Sequence, residues 1–280
     1  MSIVLGIDVG SSATKIVGFR KSGSTVELIA PQHVRANDYV TAIYGAFGKF
    51  ADKNGLSIKD IKKVMMTGVG SSHVSHGLYG IDSEWVSEFD SIGRGGLYLS
   101  GLSEALVVSI GTGTAIVHAR SGGEMKYLGG TGVGGGTLVG LSKLLLQAET
   151  VGHAAELADS GDLSKIDLRI KDVVTEDAVS SLSGELTLAN FGNVSDVAEK
   201  EDIAAGIMNM LFETVGMIAI FAAQSVGVRD IVLTGNLTTL ELCKRKFENF
   251  GGIKEKYGVN FIIPPHSAYA TVIGTAIQGL

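Results

Sequence analysis

Residues 106–138 read LVVSIGTGTAIVHARSGGEMKYLGGTGVGGGTL and hold two glycine-rich turns, each placed where an apolar run stops. Gly111-Thr112-Gly113-Thr114 follows the strand-like run Leu106–Ile110. Gly129-Gly130-Thr131-Gly132-Val133-Gly134-Gly135-Gly136-Thr137 precedes a helix-like run from Leu138 to Leu146. Glycine lets a backbone approach an anion closely and take positive φ. A helix N-terminus adds unpaired N–H groups at the positive end of its dipole. Strand, Gly/Thr turn, strand, glycine turn and helix is the order a phosphate cradle requires. One such turn is explained equally well by tight chain reversal. Two in one unit, with a third at Thr234-Gly235-Asn236, favour the phosphate reading.

Upstream lies a second unit of the same kind. The apolar run Ile3–Ile7 ends at Asp8, a small-residue turn Val9-Gly10-Ser11-Ser12-Ala13-Thr14-Lys15 follows, and Ile16–Phe19 is apolar again. This pattern predicts a hairpin, with a third strand over Thr25–Ala30. An acidic residue beside such a turn serves Mg²⁺, directly or through water, while turn amides and Lys15 meet phosphate. The alternative, equally open on residues alone, is that Asp8 and Ser11 only brace the turn and Lys15 is a solvated strand residue. Residues 38–53 space Val40, Ile43, Phe47 and Phe50 as an amphipathic helix, weakened by Gly45 and Gly48. Ile61–Thr67 reads as a strand closed by Gly68-Val69-Gly70, and His73 and His76 after it read as loop residues without a third ligand. A helix is predicted from Phe89 or Asp90. Glu84, Glu88 and Asp90 precede the two-turn unit, and one of them suits a hydroxyl proton acceptor. Spacing alone favours the plainer role of satisfying a helix dipole.

Downstream, helices are predicted over 138–147, 151–159, 201–227 and 268–279, and from Thr238 or Thr239, as cap, to Phe250. Strands are predicted over Asp230–Leu233 and Gly258–Ile263. The 201–227 helix is apolar enough to be core or a subunit interface. Residues 182–194 lack periodicity and read as a segment that covers or lines something.

Composition narrows the classes. The 280 residues suffice for one large domain or two lobes round a cleft. The 45% hydrophobic and 19% charged content fits a soluble enzyme-sized protein, and a net charge of −6 argues against a nucleic-acid or anionic-membrane partner. No uninterrupted apolar run reaches the roughly 18 residues of a membrane span, and the N-terminus enters a strand at once, so no signal segment is expected. The single cysteine, Cys243, excludes an intrachain disulfide and a multi-cysteine metal or cluster site, and fits the cytoplasm.

The residues Gly6-Ile7-Asp8-Val9-Gly10 with Lys15, Glu88-Phe89-Asp90, Ile110-Gly111-Thr112-Gly113-Thr114, Gly129–Gly136, Leu186–Gly192 and Thr234-Gly235-Asn236 resemble those of the type II pantothenate kinases over nearly the whole chain. The first motif is shared across the actin/hexokinase/Hsp70-type ATPase superfamily; the triple glycine and the Leu186–Gly192 segment are more specific. The resemblance implies an α/β, two-lobed, actin/hexokinase-like (ribonuclease H-like) duplicated fold with nucleotide between lobes at 1–103 and 104–280. It implies transfer of the γ-phosphoryl of Mg²⁺-ATP to pantothenate by a homodimer, opening coenzyme A synthesis. It assigns the base to Glu88. Nucleotide contacts fall on Asp8, Gly10, Ser11, Ser12, Lys15, Thr112, Gly135, Gly136, Thr137 and Asn236, and the metal contact on Asp8. Acceptor contacts fall on Thr114, Lys126 and Tyr127. Two positions depart from the family pattern: Tyr127 stands where the family has an arginine for the pantothenate carboxylate, and Ala115 where it tends to have serine. Lys126 or Arg94 is a substitute cation, or the acceptor is a relative without the carboxylate, such as pantetheine. A same-fold kinase for another small alcohol or sugar, and a nucleotide-sensing protein with no acceptor pocket, are the competing functions. A reductase-activating ATPase of this fold is disfavoured by the lone cysteine.

Overall fold

The computed structural model describes residues 2–35, 38–173, 184–248, 250 and 252–280. In chain order it contains β1 (Ser2–Val9), β2 (Thr14–Ser22), β3 (Thr25–Val34), α1 (Tyr39–Lys53), β4 (Ile61–Thr67), β5 (Asp82–Trp85) and α2 (Glu88–Ser100). Next come β6 (Glu104–Ile110), β7 (Thr114–Arg120), β8 (Lys126–Thr131), α3 (Gly135–Leu146), α4 (Val151–Asp159), β9 (Leu168–Arg169), α5 (Ile170–Val173), β10 (Thr187–Ala189) and α6 (Lys200–Val226). The chain closes with β11 (Asp230–Thr234), α7 (Glu241–Glu248), α8 (Ile253–Tyr257), β12 (Asn260–Ile262) and α9 (Ala270–Ile277). Two five-stranded sheets have the orders β3-β2-β1-β4-β5 and β12-β11-β6-β7-β8. Read as 8-7-6-11-12, the second repeats the first: three consecutive strands, then two that arrive later. Residues 182 and 183 lie outside the described residues; 187–189 form β10, paired with β9.

The chain divides into two compact units, residues 1–107, 117–127 and 264–280, and residues 108–116 and 128–263. The closing helix, expected with the second lobe, therefore belongs to the first unit. In that unit β1 runs antiparallel to β2 and parallel to β4, and β4 runs parallel to β5. One face of the sheet (Ile3, Leu5, Ile7, Ile16, Met66) packs on Ile43, Phe47 and Phe50 of α1. The other face (Val17, Phe19) packs on Val272, Ile273 and Ala276 of α9. Asp38 caps α1, accepting from Thr41 N at 2.7 Å. Gly45 and Gly48 do not stop α1, because its buried apolar stripe supplies what their propensity lacks.

In the second unit α6 is the central helix, burying Ile207, Met208, Leu211, Phe212, Val215 and Ile220. By length and composition it is apolar enough to cross a membrane, but 67% of its most apolar window is buried in the protein, as in a core helix. Neither Thr238 nor Thr239 caps α7. Their hydroxyls donate back to Gly235 O and Asn236 O, both at 2.7 Å, and close the 3₁₀ turn Asn236–Thr239 instead.

Candidate active site

In the first unit the β1–β2 register pairs Val9 with Thr14, so Gly10-Ser11-Ser12-Ala13 form the turn, closed by Gly10 N donating to Ala13 O at 3.2 Å. Ser11 and Ser12 are exposed. Asp8 stands opposite Lys15, and Lys15 opposite His33, in one row across three strands. Asp8 is buried, and desolvation pushes its carboxyl up to about 6; Lys15 draws it down and Glu88 pushes it up. Burial pulls the Lys15 ammonium below its usual pKa, against the charge of Asp8. Lys15 Nζ donates to Ala268 O at 2.5 Å and lies 5.8 Å above the centre of the Tyr269 ring.

The parallel strands β1, β4 and β5 deliver their carboxyl ends to one edge, the usual place for ligands in such sheets. Asp8 pairs with Thr67 there, and Val86 N donates to Met66 O at 2.9 Å. Thr67 Oγ1 donates to Val86 O at 2.9 Å, which leads the chain to Ser87. Ser87 caps α2 by accepting from Asp90 N, and Glu88 is the helix's first residue, one position ahead of the expected start. Glu88 keeps an open side to solvent, while the protein around its carboxyl raises its pKa by desolvation. Among the described residues no hydrogen bond or ion pair engages that carboxylate. Its charge reaches Asp8, so the two carboxylates belong to one locality. Such a group is suited to accept a proton.

Sequence reading places Gly68 only in the turn closing the Ile61–Thr67 strand; the structure sets it against the Asp8 carboxylate. It has φ +88°, and a Cβ there would lie 2.7 Å from Asp8 Oδ1 and 2.6 Å from Val9 O. Only glycine closes β4 this near the carboxylate; in sequence it was indistinguishable from any strand-ending turn. Among the described residues no group of three His, Cys, Asp or Glu is arranged to hold a metal. A single buried carboxylate still fits Mg²⁺, which keeps several waters and is shared between one or two carboxylates and the phosphates it accompanies. Asp8 offers a carboxylate of that kind.

Lys126 and Tyr127 are exposed at the start of β8. The Tyr127 ring stacks on Phe89, the residue after Glu88, with centroids 3.9 Å apart and planes at 19°. The structure thus brings the acceptor candidate Tyr127 beside the base candidate. The Nε of Arg94, further along α2, is buried without a hydrogen-bond partner.

In the second unit the two glycine turns nest. Gly135 N donates to Gly111 O and Gly136 N to Thr112 O, both at 2.8 Å, and a Cβ on Gly134 would lie 2.7 Å from Thr112 O. The N–H groups of Gly135 and Gly136 are thus engaged with the neighbouring turn, and contact between them and a phosphate requires exchange of those bonds. Thr114 is buried, its hydroxyl donating to Val133 O at 2.8 Å. Thr137 Oγ1 donates to Gly132 O at 2.8 Å and accepts from Gly134 N at 3.3 Å. Asn236 and Thr112 are exposed. The third turn joins the same nest: Gly235 has φ +96° and meets Ile110 O.

A buried polar network also escaped sequence reading. Asp167, fully buried, accepts from Phe191 N at 2.8 Å and Asn209 Nδ2 at 2.7 Å. Asn209 Nδ2 also donates to Thr187 Oγ1, and Lys246 Nζ donates to Asn209 Oδ1 and Glu213 Oε1. The network anchors both ends of the segment Thr187–Phe191. Cys243 is buried, its thiol pushed up to about 12, which fits an inert core residue.

Two sheets of the same strand order, each following its first strand with a small-residue turn, define an actin/hexokinase/Hsp70-type ATPase fold. Solved structures agree. The chain matches the activator of 2-hydroxyisocaproyl-CoA dehydratase from Clostridium difficile with bound ADPNP (TM-score 0.70, 21% identity, 99% of this chain and 93% of that one). It also matches component A of (R)-2-hydroxyglutaryl-CoA dehydratase from Acidaminococcus fermentans (TM-score 0.66, 21% identity, 99% and 97%). At that identity they speak for the fold alone. The Fumble family model matches residues 102–247, just over half of the chain, and the chain belongs to that family, the type II pantothenate kinases. It is a small-molecule kinase. The type II pantothenate kinase of Oceanobacillus iheyensis is 36% identical over 174 residues, spanning 59% of this chain and 64% of that relative. That of Staphylococcus haemolyticus is 27% identical over 241 residues, spanning 83% and 84%.

Proposed function

We propose that this kinase transfers the γ-phosphoryl of Mg²⁺-ATP to the hydroxyl of pantothenate or a close analogue. Membership of the family supports the reaction. The observation that carries the site is the unpartnered, partly desolvated carboxylate of Glu88, close enough to Asp8 for its charge to be felt. Glu88 accepts the acceptor's hydroxyl proton as that oxygen bonds to the γ-phosphorus. The bond from γ-phosphorus to the β–γ bridging oxygen breaks and ADP departs with the electron pair. Lys15 and the Gly10–Ser12 turn hold phosphate oxygens. Asp8 would hold the cation, which would supply neutralisation of the charge spreading over the phosphates. The family assignment adds Thr112, Gly135, Gly136, Thr137 and Asn236 as nucleotide contacts, the amides of Gly135 and Gly136 only on exchange of their bonds to Gly111 O and Thr112 O. Lys126 and Tyr127 are the acceptor contacts of the first unit; the hydroxyl of Thr114, the other residue assigned to the acceptor, is already committed to Val133 O. The reading includes a cytoplasmic homodimer, checked by sedimentation.

ADP release from Mg²⁺-ATP with pantothenate, with pantetheine and with no acceptor tests the reading. Turnover with pantothenate supports it and shows that another group serves in place of the arginine. Turnover with pantetheine alone moves the acceptor to the analogue. ATP binding without acceptor-dependent turnover overturns it in favour of another substrate or a sensing role.

A further inference from the structure

The row Asp8, Lys15, His33 places a carboxylate and an ammonium opposite one another on adjacent strands. Such a pair ordinarily closes into a salt bridge, yet no ion pair joins Lys15 to Asp8. The ammonium instead bonds to Ala268 O at 2.5 Å and lies over the Tyr269 ring. The Tyr269 hydroxyl in turn lies 3.3 Å from His33 Nδ1, which holds the ring over the row. The turn that delivers these groups is built for it. Pro264-Pro265 stiffens the approach, and His266 takes a left-handed conformation (φ +61°) that a non-glycine residue adopts at a cost. A 3₁₀ turn over Ser267–Tyr269 then presents the carbonyl and the ring together.

We propose that Tyr269 is a positioning residue: with the Ala268 carbonyl it holds Lys15 off Asp8, so that the ammonium stays available to a phosphate and the carboxylate to a cation. Without that hold, the two opposite charges close on each other and each cancels the group the other partner needs. The inference rests on the reading of Lys15 as a phosphate contact and Asp8 as a cation contact. A carbonyl and an aromatic face suit the task because both attract an ammonium without neutralising it. A phosphate can therefore still compete for it.

The test is calorimetric titration of the full-length protein with Mg²⁺ and a non-hydrolysable ATP analogue. Wild type, Tyr269→Leu and Tyr269→Phe are compared, each first checked for folding by its melting curve. Tyr269→Leu is expected to weaken binding roughly tenfold, and Tyr269→Phe, which keeps the ring, by no more than about threefold. A structure of Tyr269→Leu is expected to show Lys15 Nζ in salt-bridge contact with Asp8. The Michaelis constant for the acceptor stays unchanged. Affinity for Tyr269→Leu within about twofold of wild type, or Lys15 still seated on Ala268 O in that variant, overturns the inference. If Tyr269→Leu does not fold, Tyr269→Met, which keeps a long side chain but removes the aromatic face, serves in its place: binding weakened about tenfold supports the proposal and affinity within about twofold of wild type overturns it. Wild type failing to bind the analogue overturns the reading of the site, and this inference with it; wild type binding normally while the variants match it overturns the inference alone.

Discussion

Glu88 and Asp8 are both acids at the end of a parallel strand pair, but their surroundings ask different things of them. Glu88 has an open side and no partner among the described residues, so replacement by glutamine removes the proton acceptor and little else. Glu88→Gln is expected to lower kcat by roughly 10²–10⁴-fold while leaving nucleotide affinity unchanged. ADP release and calorimetry on the same preparation check it, and full activity in the variant would sink the base assignment. Asp8 is the reverse case, a carboxyl whose ionised form the fold disfavours. Folded, it keeps its proton up to about pH 6; unfolded, only to near 3.8. Between those values the folded state binds more protons, so Asp8 costs the ligand-free protein stability as pH rises through that window. Asp8→Asn is therefore expected to raise the melting temperature at pH 8, a gain on the order of 1 kcal/mol, and to abolish the extra stabilisation by Mg²⁺-ATP. Thermal scans with and without nucleotide decide both parts. The identity of these acids was legible as a motif. Their electrostatic difference was not, because burial depends on residues such as Gly68 that sequence presents only as turn formers.

At the scale of elements, the glycine runs announced themselves, yet their amides do something the sequence does not state. They bond turn to turn before any ligand arrives, and the three turns fit only because side chains are missing where they touch. Gly134→Ala would put a methyl into Thr112 O, and is expected to destabilise the second unit by about 1–3 kcal/mol, measured by denaturant titration. Gly45 and Gly48 of α1 are the contrast: a Cβ at either meets nothing within 4 Å. Gly45→Ala and Gly48→Ala are each expected to stabilise by about 0.5–1 kcal/mol without changing activity. Asp202 at the start of α6 ties down its own helix and the preceding loops, accepting from Glu199 N, Asp162 N and Lys165 Nζ. Those bonds pull its carboxyl down to about 2, so its contribution is complete above the ordinary value of 3.8 and is lost as pH falls from there towards 2. Asp202→Asn should flatten that part of an acid-unfolding curve. Periodicity found α6 and α1. It had no means of finding the Asp167–Asn209 network, whose partners are 22 to 42 residues apart in the chain.

Across the whole molecule, the repeated strand order follows from two hairpins, each led by an apolar run, and those were readable as patterns. The membership of α9 was not. It joins the first unit through backbone contacts, Gly95 against Ala270 O, Gly274 against Ser91 O and Gly6 against Val272 O. Its apolar residues Val272, Ile273 and Ala276 pack on Val17 and Phe19, but neither an apolar helix face nor a close approach through glycine names its partner in the sequence. Termination after residue 263 is expected to unfold the first unit, read as protease cleavage within residues 1–107 at concentrations that leave the 280-residue chain intact. The same arrangement sets an order of events during synthesis. Residues 1–107 leave the ribosome early but lack the helix that covers one face of their sheet, and that helix is made only after the whole of the second unit. The second unit, complete once residue 263 has emerged, is in a position to fold while the earlier-made segment still waits. A nascent first unit thus depends on shelter from aggregation until residues 264–280 emerge, and a stall near residue 260 would leave it uncovered.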